Sequence, residues 1–190
     1  MFAAILDTSV LWPSLQRDFL LSLAVEGIYR PLWSEAILQE LRTHETLKLA
    51  KRGSDAEDAA ISANHLIAEM KTHFSDALVT GWEPLEGTYG LRDPDDEHVV
   101  AAAVIGGAGT IVTANIKDFD AVPAEIQVQP PHEFALDQVT VDPIRAARAI
   151  TAISKRHTRS QHTPIEILKL LDNRYNMHSL VPLVKPYLMN

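Results

Sequence analysis

Ala3-Ala4-Ile5-Leu6-Asp7-Thr8-Ser9, near the start of this 190-residue chain, joins an apolar run to an abrupt polar end. Four consecutive apolar residues are typical of a strand that is buried on both faces, as in a parallel sheet, and the polar residues then predict a loop. Asp7 would lie just beyond the carboxyl end of that strand. Because a half-buried lone carboxylate needs a partner, Asp7 is the first candidate for a functional residue. A turn-forming Asp is the alternative.

Strands and helices alternate along the rest of the chain. The hydrophobic patterns predict further strands at residues 28–33, 77–80, 110–113 and 126–128. They predict helices at residues 13–26, 35–51 (capped by Ser34), 55–74 and 94–105, with two more helical runs at 144–153 and 165–171. This alternation implies right-handed crossovers and a mostly parallel sheet. We therefore expect an α/β fold, with a three-layer α/β/α domain over residues 1–139 and a basic helical C-terminal extension over residues 140–190.

The composition restricts both the chemistry and the partners. The chain has no cysteine, so any metal must bind oxygen or imidazole ligands, which favours hard cations. The net charge of -8 argues against a general nucleic-acid coat protein, because sequence-independent binding draws on Lys and Arg. The charge is segregated, however: residues 141–190 hold eight Lys or Arg against three Asp or Glu, whereas the first 140 residues hold nine against 22. A basic segment thus follows a strongly acidic domain.

The first residues of the sequence bear on its location. Met1-Phe-Ala-Ala-Ile-Leu-Asp7 contains no basic segment, and its apolar run is far too short for a signal peptide or a membrane span. We therefore expect a cytoplasmic protein that does not enter a membrane.

More acidic and amide side chains are expected at the same edge of the sheet. Asn115 follows a predicted strand end, as Asp7 does, while Asp93 and Asp96 open a predicted helix, and Glu40 leans toward the apolar side of its helix. Ligands bind beyond the carboxyl ends of parallel strands. Clustered carboxylates raise one another's pKa unless a cation compensates for them. Oxygen ligands suit Mg²⁺ or Mn²⁺, and the expected chemistry is phosphodiester hydrolysis by an activated water.

Structural roles are the alternatives for these residues. Asp93 and Asp96 fit the N-cap and N3 positions of a helix. Glu40 is compatible with a solvated helix surface. Asn115 and Asp118 are of the residue types that commonly shape the loop after a strand. The eight histidines show no paired ligand spacing, so we expect them to be structural or surface residues.

Four motifs occur in order along the chain. They are Ile5-Leu-Asp7-Thr-Ser9-Val-Leu11, Trp33-Ser-Glu-Ala-Ile-Leu-Gln-Glu40-Leu41, Asp93-Pro-Asp-Asp96-Glu-His-Val-Val-Ala-Ala-Ala103 and Ile111-Val-Thr113-Ala-Asn115-Ile-Lys-Asp118-Phe119. Each motif is weak alone, but the four in sequence are specific. Over roughly residues 2–135 the chain resembles the PIN-domain ribonucleases, and particularly the VapC-like toxins of bacterial toxin-antitoxin pairs.

This resemblance implies roles for individual acids. Asp7, Glu40 and Asp96 would be the catalytic acids and principal metal ligands, and Asp93 and Asn115 would be further metal ligands. Many relatives carry Asp where this chain has Asn115. An amide still offers a carbonyl oxygen, but it supplies no charge, so the resemblance leaves the binding of a second metal open.

The resemblance also implies an activity and partners. Ser9, Thr113 and Asp118 would support the metal-binding acids of an Mg²⁺- or Mn²⁺-dependent endoribonuclease. Such a protein would cleave RNA as a toxin, would be silenced by a cognate antitoxin protein and would form a homodimer. Two other interpretations stay open. One is a catalytically inactive PIN-fold module that binds RNA or another protein, and the other is a nuclease of DNA or of flap structures.

Lys155, Arg156 and Arg159 lie in the basic extension, and we predict that they hold RNA phosphates near the acidic site. An ordinary solvated helix face is the alternative. Replacing all three by Gln should weaken RNA binding and flatten its salt dependence, because each phosphate contact releases counterions. The measurement is the dissociation constant for RNA at several salt concentrations, with the unaltered chain as the reference. Unchanged binding would remove the extension from the mechanism.

Overall fold

One sheet of five short strands forms the centre of the computed structural model, which describes residues 1–156 and 161–188. The strands are β1 (Ala3–Leu6), β2 (Arg30–Ser34), β3 (Leu78–Val79), β4 (Thr110–Val112) and β5 (Gln127–Gln129). They run parallel in the order β3-β2-β1-β4-β5. The parallel sheet predicted from the alternation of strands and helices is therefore confirmed.

Helices flank this sheet. Within the described residues they are α1 (Thr8–Leu11), α2 (Ser14–Val25), α3 (Glu35–Lys51), α4 (Ala56–His73), α5 (Glu97–Gly106), α6 (Pro131–Val141), α7 (Pro143–Arg156), α8 (Pro164–Tyr175) and α9 (Val181–Leu188). The predicted α/β/α architecture with added C-terminal helices is confirmed. Over the described part of the chain, no helix is both long and apolar enough to cross a bilayer.

β1 occupies the middle of the sheet, where the direction of strand addition reverses. It pairs with β2 on one side and with β4 on the other, and all four of its residues are buried. The apolar run that was predicted to be buried on both faces is confirmed. β2 and β3 lie on one side of β1, and β4 and β5, which come later in the chain, lie on the other side. This reversal opens a crevice at the carboxyl ends of β1 and β4.

A short helix, α1, replaces the polar loop expected after β1. The amides of Val10 and Leu11 donate hydrogen bonds to the Asp7 carbonyl oxygen at 3.0 and 3.2 Å. The helical turn buries Val10 and Leu11 completely, which an open polar loop would not do. It also keeps the hydroxyls of Thr8 and Ser9 close to the end of β1.

The way in which α3 and α5 begin determines where two of the candidate acids lie. The Ser34 hydroxyl accepts a hydrogen bond from the Ile37 amide at 3.2 Å and caps α3, as its sequence predicts. The helix predicted from Pro94 begins instead with a 3₁₀ turn, Pro94–Asp96, and α5 follows from Glu97. This turn moves Asp96 from the predicted third helical position to the position that precedes α5.

The C-terminal helices share the core of the sheet domain. α7 packs on α2 and α9 and buries Ala149, Ile150 and Ile153. The Phe134 ring of α6 meets the Tyr29 ring edge-on, with 4.9 Å between the ring centroids. The division predicted at residue 139 falls inside α6, and that domain boundary stays a prediction.

Candidate active site

A cleft of about 380 Å³ lies at the carboxyl ends of β1 and β4. Its walls come from the β1–α1 segment, α3, the turn before α5 and the loop after β4. The lining residues are Asp7, Thr8, Ser9, Trp12, Glu40, His44, Asp96 and Asn115. The fold therefore brings three predicted acids, the predicted amide and one predicted supporting hydroxyl into one cleft, from segments far apart in the sequence.

Asp7 is held by two hydroxyl groups. It is 5% exposed, and its Oδ2 accepts hydrogen bonds from the Ser9 hydroxyl at 2.6 Å and from the Thr113 hydroxyl at 2.7 Å. The same hydroxyls accept hydrogen bonds from the amides of Ala114 and Asn115. Both bonds to Asp7 end on one oxygen, so its Oδ1 has no hydrogen-bond partner among the described residues and remains available to a ligand. Ser9 and Thr113 lie where the supporting residues were expected.

Glu40 is held through both carboxylate oxygens. Its Oε1 lies 2.9 Å from Nε2 of His98, and its Oε2 accepts a hydrogen bond from the Thr8 hydroxyl at 2.6 Å. Because a carboxylate only accepts, Nε2 of His98 carries the proton of this bond. Burial opposes the ionisation of Glu40, but the hydrogen bonds from His98 and Thr8 outweigh it and hold the pKa of Glu40 below its ordinary value. The Glu40 side chain is 42% exposed, so it is partly solvated, as the alternative expects, and is also fixed by two side chains from other segments.

His98 is a buried partner of Glu40. Burial alone would lower the pKa of His98, but the hydrogen bond and charge of Glu40, together with the charge of Asp7, raise it above the ordinary value. Its Nδ1 is buried and has no hydrogen-bond partner among the described residues. The only hydrogen bond of the imidazole among the described residues is thus the one to Glu40. The Trp82 ring packs beside it, with 5.9 Å between the ring centroids.

Asp96 carries the uncompensated charge of the cleft. It precedes α5, and its side chain makes no capping hydrogen bond, so the capping alternative does not account for it. Burial raises the pKa of Asp96 to about 6, and the charges of Asp7, Asp93 and Asp118 contribute to the rise. The carboxylate is therefore half-buried in a field of like charges.

Asp93, Asp118 and Asn115 differ in how close they come to the cleft. Asp93 is exposed and outside the cleft lining, and its Oδ1 accepts a hydrogen bond from the Asp95 amide at 3.0 Å, as the capping alternative predicts. Asp118 ends a 3₁₀ turn after β4 and also lies outside the lining. Asn115 lines the cleft and is exposed. Asp93 and Asp118 therefore affect the site electrostatically, because their charges help to raise the pKa of Asp96. A direct bond from Asp93 to a metal stays a prediction.

The acids form an open set of donors. Over residues 1–156 and 161–188, no three His, Asp or Glu side chains are grouped closely enough to hold a metal ion by themselves. Mg²⁺ is commonly held by one or two carboxylates, with waters and substrate phosphates completing its coordination. The arrangement thus fits a cation shared with a substrate better than an enclosed structural metal.

Sequence reasoning missed Thr8, Trp12, His44 and His98. The expectation that the histidines are structural or surface residues is too broad, because His98 hydrogen-bonds a candidate acid and His44 lines the cleft. One signal was present: His98 is polar within the apolar run of α5 that continues with Val99, and a buried polar group needs a partner. Nothing local identified that partner as Glu40, 58 residues away.

One of the three basic residues predicted to hold RNA, Arg156, contacts another helix of the domain. Arg156 donates hydrogen bonds to the Asp18 carboxylate at 2.6 Å and to the Ser22 hydroxyl at 2.8 Å, both on α2. It lines a separate cleft of about 850 Å³ among α2, α4 and α8, which shares no lining residue with the acidic cleft. Lys155 stands beside it at the end of α7, and Arg159 lies outside the described residues. RNA binding by these three residues stays a prediction.

Comparison with known proteins identifies the family. The family model described as PIN domain matches residues 3–117, which is more than half of the chain and includes every cleft-lining residue. No curated protein and no solved structure matches the chain. The narrower resemblance to VapC-like toxins stays a prediction. The chain belongs to the PIN-domain family.

Proposed function

We propose that this protein is an Mg²⁺- or Mn²⁺-dependent endoribonuclease that hydrolyses RNA phosphodiester bonds in the acidic cleft. The observation that carries the proposal is the convergence of Asp7, Glu40 and Asp96, from three separate segments, at the carboxyl ends of β1 and β4. Membership of the PIN family supports it, because PIN domains are generally nucleases. The catalytic roles of the three acids are part of the proposal.

The donors of the cleft fit a hard divalent cation. Asp7, Glu40 and Asp96 offer carboxylate oxygens, and Asn115 offers a neutral amide oxygen. The raised pKa of Asp96 indicates negative charge that the protein itself leaves unbalanced. When bound there, a divalent cation would make a water more acidic and would stabilise the oxygens of the reacting phosphate. One or two cations are compatible with this set of donors.

The surrounding residues hold the acids in place before any ligand binds. Ser9 and Thr113 fix Asp7, while His98 and Thr8 fix Glu40. Hydrogen-bonded partners of this kind orient metal ligands. Asp96 lacks a capping bond, so its carboxylate is the one most free to respond to a cation.

The narrower proposal is a biological role. By the motif resemblance, the protein would be the toxin of a toxin-antitoxin pair, would act in the cytoplasm as a homodimer and would be silenced by a cognate antitoxin protein. The competing function is a catalytically inactive PIN-fold module that binds RNA or another protein. The neutral amide of Asn115 favours this competitor, because it removes one charge from the set of cation ligands.

Cleavage of a total-RNA mixture tests the proposed activity. Protein stripped of metal should be inactive, added Mn²⁺ should restore cleavage, and Asp7→Asn combined with Asp96→Asn should lower the rate on the order of 100-fold or more, because charge stabilisation at the phosphate is lost. Asp58→Asn, on the exposed first turn of α4, is the matched control and should cleave normally. Cleavage of single-stranded DNA in preference to RNA would instead support a DNA nuclease. A folded, antitoxin-free protein that cleaves nothing with any metal would favour the binding module.

The stability of Asp96→Asn tests the unbalanced charge. Folding raises the pKa of Asp96 from 3.8 to about 6, so the metal-free fold binds this proton more tightly than the unfolded chain does. The stabilisation of the fold by the protonated Asp96 carboxyl is complete below about pH 4 and is lost as the pH rises through about 6. Asp96→Asn should therefore have a higher Tm than wild type at about pH 7.5 in a chelator, and the difference should vanish near about pH 4. Equal Tm values at both pH values would contradict this electrostatic account.

His98→Ala tests the support of Glu40. Losing the hydrogen bond to Glu40 should weaken Mn²⁺ binding by about 10- to 100-fold, as measured by calorimetric titration. His98→Gln retains an N–H donor and should lose less. His73→Ala removes an exposed histidine that pairs with Glu69 on α4, and it should bind Mn²⁺ like wild type. Full Mn²⁺ affinity in a folded His98→Ala protein would show that the imidazole is only a packing residue.

A further inference from the structure

Trp12 is an exposed aromatic residue in the wall of the acidic cleft. It follows α1 directly, lines the cleft with Asp7 and Glu40, and is 42% exposed. The other two tryptophans of the chain are buried, Trp33 at 0% and Trp82 at 7%. An isolated exposed apolar residue needs no explanation, but this indole stands among the groups proposed to act on a phosphodiester.

Two side chains of α3 that can donate hydrogen bonds stand beside the indole. Nζ of Lys48 lies 5.9 Å from the Trp12 ring centroid and donates to the Trp12 carbonyl oxygen at 3.4 Å and to the Ser14 hydroxyl at 2.9 Å. It also pairs with Glu45. The His44 ring lies 6.5 Å from the indole, nearly edge-on at 66°, and it lines the cleft. Lys48 lies one helical turn after His44, but its ammonium already bonds Trp12, Ser14 and Glu45, so His44 is the donor of this pair that lines the cleft.

Proteins that bind single-stranded nucleic acid combine an exposed aromatic ring with basic or hydrogen-bonding nitrogen groups beside it. Bases stack on the aromatic face whatever their identity, while basic groups follow the backbone phosphates. A base inside a duplex has both faces covered by its neighbours, so stacking on a protein requires an unpaired base. A protein ligand would also cover Trp12, but it would not explain why the indole shares its cleft with the proposed phosphodiester-binding acids.

We propose that Trp12 forms a nucleobase-binding subsite, on which a base of a single-stranded substrate stacks beside the phosphodiester held at Asp7, Glu40 and Asp96. His44 faces the adjoining backbone, and Lys48 supports the indole through its bond to the Trp12 carbonyl oxygen. The inference rests on the proposed ribonuclease function and names its substrate class. Selection of unpaired RNA then follows from the shape of the cleft and does not require base-specific hydrogen bonds.

Binding of a short single-stranded oligoribonucleotide to the Asp7→Asn protein tests the subsite without relying on activity. Trp12 is the exposed tryptophan, so the oligonucleotide should quench its fluorescence, and Trp12→Phe should abolish most of that quenching. By anisotropy of a labelled oligonucleotide, Trp12→Ala should raise the Kd by about 5- to 150-fold, the range for loss of one stacked base. Trp12→Phe and Trp12→Tyr should stay within about threefold of the parent, because they keep an aromatic face. Trp12→Leu, apolar but not aromatic, should behave like Trp12→Ala.

Abasic substitution along the oligonucleotide identifies the stacked nucleotide. One abasic position should weaken binding to the parent protein but not to the Trp12→Ala protein, since the stacking is already absent there. A fully paired duplex of the same sequence should show no dependence on Trp12. Equal affinities for Trp12→Ala, Trp12→Leu and Trp12→Phe would overturn the subsite.

The outcomes separate this inference from the proposed function. Metal-dependent RNA cleavage combined with oligonucleotide affinity that is independent of Trp12 would retain the nuclease and reject the subsite. Affinity that depends on Trp12, in a protein that cleaves nothing, would retain the subsite and reject the nuclease. If Trp12→Ala changes only the oligomeric state or the binding of a protein, Trp12 is a protein-docking residue and the subsite is rejected. Far-ultraviolet circular dichroism and Tm identify any variant that fails to fold; if Trp12→Ala is such a variant, Trp12→Leu and the abasic oligonucleotides on the parent protein carry the test.

Discussion

The parallel pairing of β1 with β4 brings Asp7 next to Thr113, 106 residues away in the sequence. The Thr113 hydroxyl donates a hydrogen bond to the Asp7 carboxylate and so joins the two strand ends at the cleft. The Asp7 amide also donates to the Val112 carbonyl oxygen at 3.0 Å, which continues the strand pairing to the edge of the cleft. Without this register, Asp7 and the Asn115 loop would not face the same space. The remaining groups of the site, on α3 and before α5, are added around this junction.

The acids of the cleft are supported unequally, and the pKa values of Glu40 and Asp96 are shifted in opposite directions as a result. Asp7 and Glu40 accept hydrogen bonds from hydroxyls and an imidazole, which stabilise the charged carboxylate. Asp96 makes no capping bond and lies near other acids, so its pKa rises to about 6. A fold optimised only for stability would not retain such a group, and sites that break local rules are often functional. Under the proposed function, a bound cation would balance this charge.

The basic C-terminal segment shows why charge along a sequence does not predict charge in a site. α7 buries an apolar side against α2 and α9, and its orientation is set by that packing. Arg156 is consequently directed to Asp18 and Ser22 on α2, in a cleft that shares no lining residue with the acidic cleft. The histidine and the exposed tryptophan that line the acidic cleft come instead from α3 and from the end of α1, where His44 lies beside Trp12.

The sequence by itself determined the features that depend on neighbouring residues. The uninterrupted apolar run of β1, the Ser34 cap of α3 and the alternation that gives a parallel sheet are all local patterns, and the acids Asp7, Glu40 and Asp96 were identified from four short motifs. Tertiary structure decided how these acids are supported and which of them remains unbalanced. The bonds of Glu40 to Thr8 and His98 span 32 and 58 residues, and a 3₁₀ turn at Pro94–Asp96 moves the start of the α-helix from the expected Pro94 to Glu97. Periodicity specifies which face of a helix is buried, but not which distant side chain meets that face, because this depends on how each helix is rotated and packed on the sheet.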